Sequence, residues 1–153
     1  MAATLTEILL APDTQPQVTA DCMQLIEQEV AAKSGVTGTA VKLAYKAAST
    51  LKPGYLQSTV DSLIPDMAGK LQPYWADFAA SGASGFGDYL VKRSDEVSEA
   101  LLTVTDARAA VCERPTILKA YRTVRGSAAR HVAAALPNFG SLVQKHAEQK
   151  YAA

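Results

Sequence analysis

Large apolar residues recur along this chain at steps of three and four, the spacing that lays them on one face of an α-helix. Val18, Cys22, Leu25, Ile26 and Val30 form one such stripe. Leu56, Val60, Leu63, Ile64, Met67, Leu71, Trp75 and Phe78 form a second, and Leu90, Val97, Leu101, Val104 and Val111 a third. Composition agrees with the period, since 28 alanines against ten aromatic residues favour helix over sheet. The chain is therefore expected to be all-α, a multi-helix bundle of about seven to eight helices. Its 153 residues suit a single domain, 1–153, which buries roughly 68–70% of its unfolded surface without staples.

Local signals divide the chain. Thr4 and Glu7 make a capping box for a short first helix ending at Leu10. A second helix runs from about Pro16 to Lys33. In "SGVTGTAVKLAYK", Gly35 suits the left-handed turn that ends it, Thr37 the next N-cap, and Val36 with Val41 a hydrophobic staple. The same stretch lacks the lysine and the glycine spacing of a phosphate loop. That third helix continues to Leu51, where "LKPGY" breaks it. Helical spacing then holds from Tyr55 to Ala80, with Pro65 and Pro73 each opening a new helix or kinking the existing one. "SGASGFG", residues 81–87, reads as a flexible linker. Asp88 to Glu113 reads as one long helix, Pro115 opens another to Leu136, and Pro137 opens the last.

Two halves resemble each other. "EILL" (Glu7 to Leu10) parallels "DYLV" (Asp88 to Val91). Val18, Met23, Leu25 and Glu27 then fall opposite Val97, Leu102, Val104 and Asp106, and "AYK" opposite "AYR". "VDSLIPDM" (Val60 to Met67) parallels "VAAALPNF" (Val132 to Phe139). The expectation is two divergent copies of a four-helix unit, 4–80 and 86–151, joined at 81–87. Helical periodicity in an alanine-rich chain also produces such matches by itself.

"TEILLAPDT", "SGVTGTAVKLAYKA", "LIPDMAGKLQPYWADFAASG", "FGDYL", "VTDAR" and "ALPNFGSLVQKHA" together resemble a family of small all-helical bacterial proteins of unknown function. The resemblance covers most of the chain and implies an independent bacterial domain. It brings no catalytic or binding residues.

Few residues suggest chemistry. His131 and His146 lie on different expected helices, so no HExxH or Cys/His zinc spacing exists, and His146 falls on an apolar stripe as a packed residue. Cys22 and Cys112 form no CxxC pair and read as packed thiols. "SGASG" lacks the strand of a nucleophile elbow. No metal, cofactor or catalytic residue is implied. "MAATLTEILLAPDT" has neither a basic leader nor a long apolar run, so no transmembrane segment and a cytoplasmic address are expected.

Charge gives the sharpest functional clue. Net charge is zero, but residues 1–114 carry nine Lys/Arg against fourteen Asp/Glu, and residues 115–153 six against one. On the helix opened by Pro115, Lys119, Arg122 and Arg130 gather opposite an apolar stripe, with Arg125 at the edge and Lys145 and Lys150 following. Such a face contacts polyanions or an acidic partner, or is simply solvated. Tyr74, Trp75, Phe78, Phe86 and Tyr89 surround the linker as core or as a pocket wall. Three functions stay open: a non-enzymatic protein-interaction or self-association module, placed first; polyanion or nucleic-acid binding through Lys119, Arg122, Arg125 and Arg130; and a small-ligand or enzymatic pocket between the halves.

Overall fold

A computed structural model describes residues 4–152, with side chains through residue 148. Among them are seven helices and no strand: α1 (Leu5–Leu9), α2 (Gln15–Ala32), α3 (Gly35–Thr50), α4 (Tyr55–Ser81), α5 (Phe86–Val91), α6 (Ser94–Ala110) and α7 (Pro115–Ala152). The all-α expectation is met. No helix of the described residues is long and apolar enough to cross a membrane.

Caps account for the first boundaries. Thr4 Oγ1 accepts the Glu7 backbone N–H at 3.1 Å, so the cap read from sequence forms. Gly35 is left-handed as expected, with φ +76°. It begins α3, however, and Thr37 lies inside that helix and does not cap it. Val36 is 89% exposed and makes no staple. The turn comes early because α3 folds back on Lys33: a Cβ on Gly38 would meet the Lys33 carbonyl carbon at 2.9 Å. Only a glycine brings the two backbones that close.

Prolines are absorbed where breaks were expected. α4 passes through Pro65 and Pro73, and α7 passes through Pro137 where a new helix was expected to start. All three rings are exposed. Each removes one intrahelical bond, and Asp61 and Gly69, whose carbonyls lose their partners in α4, are exposed to water as well. The break falls instead inside the stretch expected as one helix from Asp88 to Glu113. It divides at Lys92 and Arg93 into α5, which buries Phe86, Tyr89 and Leu90, and α6, which buries Val97, Leu101 and Val104. Asp95 and Glu96 in the first turn of α6 are the local signal for that start.

Packing is organised by the two shortest helices. α1 lies on α4 and α5 on α7. The Leu5 N–H donates to Gln72 Oε1 at 2.6 Å, and the Phe86 N–H to Gln144 Oε1 at 2.9 Å. In both cases the first amide of a short helix, which has no intrahelical partner, is held by a glutamine on a long one. Around these latches sit Leu5, Ile8, Leu71, Phe86, Leu90, Leu136 and Val143, all buried. Trp75, Phe78, Phe86 and Tyr89 pack as one aromatic cluster, with Trp75 edge-on to Phe86 at 5.0 Å. Of the stretch expected as a linker, residues 82–85 lie outside helices, and Phe86 and Gly87 are buried in α5.

α5 meets α7 backbone to backbone. A Cβ on Gly87 would fall on the Pro137 carbonyl oxygen, and one on Gly140 on Gly87 Cα. Two facing glycines allow the contact.

Candidate functional site

The apolar stripe of α2 does not all reach the core. Val18 and Thr19 are buried, but Cys22, Leu25, Ile26 and Val30 are only half-buried. So are Leu63 and Met67 on α4, and Val132, Phe139 and Leu142 on α7. These side chains line a cavity of about 330 Å³ between α2, α4 and α7. Leu9, Val41 and Leu101 reach it from α1, α3 and α6. That volume lies at the lower end of the range of small-molecule sites, about 300–1,000 Å³. Burial pushes the Cys22 thiol up to about 11, so it is an inert wall residue.

Polar groups on the wall are few. Glu29 comes from the last turn of α2, Lys33 from its C-cap, His131 from α7 and Thr105 from α6. Thr105 is satisfied by the Leu102 carbonyl and the Tyr121 hydroxyl. His131 Nε2 is buried with no hydrogen-bond partner. Desolvation, with Lys33 and Arg130 nearby, pushes this imidazole below its ordinary value. An unpaired buried nitrogen beside two cations is costly to the fold, and it calls for an explanation.

His146 behaves differently. It is 2% exposed, and its Nε2 lies 2.6 Å from Asp21 Oδ2, to which Lys145 Nζ also donates at 2.8 Å. Burial pushes the Asp21 carboxyl up, but the hydrogen bonds from Lys145 and His146 outweigh it and hold the group below the ordinary carboxylate range. The trio fastens α2 to α7.

The four basic residues singled out in the sequence do not share one surface role. Arg125 grips Asp106 through Nε at 2.8 Å and Nη2 at 3.0 Å, with Glu99 at 3.7 Å. Hydrogen bonds from Arg125 and then from Tyr121 hold the Asp106 carboxyl below its ordinary range. Lys119 and Arg122 line a shallow depression with Pro115, Leu118 and Thr123. Arg130 is exposed beside His131, and the Lys150 side chain lies outside the described residues. A larger cleft of about 610 Å³ at the start of α4 holds Arg108 and Arg114, but Arg108 is bonded to Ser62 at 2.7 Å and Arg114 lies over Tyr55 at 5.3 Å.

Sequence reasoning left a pocket between the halves open but did not place Lys33 or His131 on its wall. Periodicity marks a wall residue and a core residue identically, because both face inward. No group of three or more His, Cys, Asp or Glu side chains that could hold a metal ion occurs among the described residues. No curated protein and no solved structure matches the chain. A family profile matches residues 5–147, nearly the whole helical bundle, and the chain belongs to that family, which is described as a family of unknown function, DUF6918.

Proposed function

We propose that this protein binds an elongated apolar molecule in the cavity between α2, α4 and α7. The observation that carries the reading is the half-burial of large apolar side chains on three helices around one space of about 330 Å³. Close packing is the rule in protein interiors, and an apolar groove of this volume left unfilled suits an apolar guest. Of the three functions left open by the sequence, the pocket between the halves is the one the geometry favours.

α3 flanks the cavity and places Val41 against it. Left-handed Gly35 begins α3, and left-handed Gly54 is the N-cap of α4 after the connection that follows it.

The test is a titration with phenylnaphthylamine, a neutral dye that brightens in apolar surroundings. Saturable enhancement at one dye per chain is expected. A linear, unsaturable rise, or none, overturns the reading.

The internal repeat belongs to the same proposal, since it places the cavity at the seam of two copies. Support comes from features outside helical periodicity. In register with the sequence match, Leu5 and Gln72 of the first half correspond to Phe86 and Gln144 of the second, and both pairs make the same amide latch. Buried Thr19 corresponds to buried Ser98. Thr19 donates to Asp61 at 2.7 Å, whereas the position matching Asp61 is Ala133, and Ser98 Oγ is left without a partner. Ala133→Asp is expected to restore the lost bond, raising stability by about 1 kcal/mol. Ser98→Ala cancels that gain in a double-mutant cycle if the register is right. Additive effects of the two substitutions would contradict it.

A further inference from the structure

Within the binding reading above, on which this inference rests, we propose that the ligand is an acyl chain ending in a carboxylate, with its head held by Lys33 and His131. The cavity is amphipathic along its length. From Val18 to Ile26 the α2 wall is apolar at every lining position, a run of about 12 Å at the helical rise. Glu29 in the last turn of α2 and Lys33 at its C-cap follow, and His131 lines the same space from α7. A tail therefore fits one end and a polar head the other.

Charge at that end selects the head. Lys33 and Arg130 both bear on His131, and neither joins a salt bridge among the described residues. Glu29 is the one acid on the cavity wall, a turn before Lys33, and it opposes an anion. On the wall Lys33 balances it, and Arg130 beside His131 adds a second cation just outside the lining. A carboxylate offers two acceptor oxygens, one for the Lys33 ammonium and one for an Nε2–H of His131, which the protein leaves unpaired and covered, so that the ring turns toward the cavity when the head binds. Charge-assisted bonds of this kind are about twice as strong as neutral ones. A primary alcohol of equal chain length fills the same apolar space without that charge.

The experiment is displacement of phenylnaphthylamine from the full chain by dodecanoate and by dodecanol at pH 8. Dodecanoate is expected to compete at least ten-fold more tightly than dodecanol. Lys33→Met, at a half-buried rim position, should lower dodecanoate affinity at least five-fold and leave dodecanol unchanged. His131→Phe should act in the same direction, with helical circular dichroism retained as the folding control. Equal displacement by acid and alcohol would overturn the carboxylate head while leaving the apolar cavity standing. Failure of both chains to displace a dye that binds would overturn the acyl tail. A dye that never binds would overturn the parent reading and this one with it.

Discussion

Gly140→Ala is expected to destabilise the protein by about 3 kcal/mol or more, at or above the upper end of overpacking substitutions. Alanine is normally the better helix residue, favoured over glycine by about 1 kcal/mol in a helix interior. Here the sign reverses. The added methyl would fall on Gly87 Cα and its amide nitrogen, backbone atoms with no rotamer to give way. α5 would have to lift from α7, releasing the Phe86–Gln144 latch and exposing Phe86, the largest fully buried side chain. Gly87→Ala should cost a similar amount, since its methyl would meet the Pro137 carbonyl. Gly126→Ala on the same long helix is the control, because no atom lies within 4 Å of a Cβ there. It should be neutral or stabilising in chemical denaturation, and a loss equal to that of Gly140→Ala would show that the effect belongs to glycine in α7 generally.

The fold was largely legible, for identifiable reasons. Three- and four-residue spacing placed α2, α3 and α4, and the Thr4 cap and the left-handed Gly35 follow from side-chain chemistry alone. The boundaries that failed were those decided by partners far away in sequence. Thr37 has the right chemistry for a cap, but Gly38 must press on Lys33. Pro137 has the right chemistry to start a helix, but Leu136 is buried in the core and Gly140 against Phe86 and Gly87, so α7 continues. Gly87 looked like linker flexibility and is instead a point of backbone contact.

The site was much less legible. Lys119, Arg122, Arg125 and Arg130 stood out because charge is visible residue by residue. Arg125 is nevertheless committed to Asp106, which lies on another helix. A cavity is a shortage of neighbours, and no residue type records it. Leu25 and Val30 differ from Val18 only in what fails to pack against them.

Filling that space is the second large effect expected. Ala135 lies on the cavity wall of α7 and is half-buried. Ala135→Phe would place a ring where the apolar guest sits. Binding should fall by two orders of magnitude or more, because a filled groove leaves no apolar surface for a ligand to cover. Stability should hold or rise, since new apolar contact contributes about 25 cal/mol per Å² of area removed from water. A variant that loses binding and stability together would be merely misfolded, so thermal unfolding accompanies the assay. Gains of this kind are the usual result of filling a void without strain.

The most direct measurement is therefore a phenylnaphthylamine titration of the natural protein and Ala135→Phe side by side, at matched helicity. The account predicts one saturable site in the first and none in the second. Saturable binding of equal strength in both would place the dye elsewhere and contradict the cavity as the functional site.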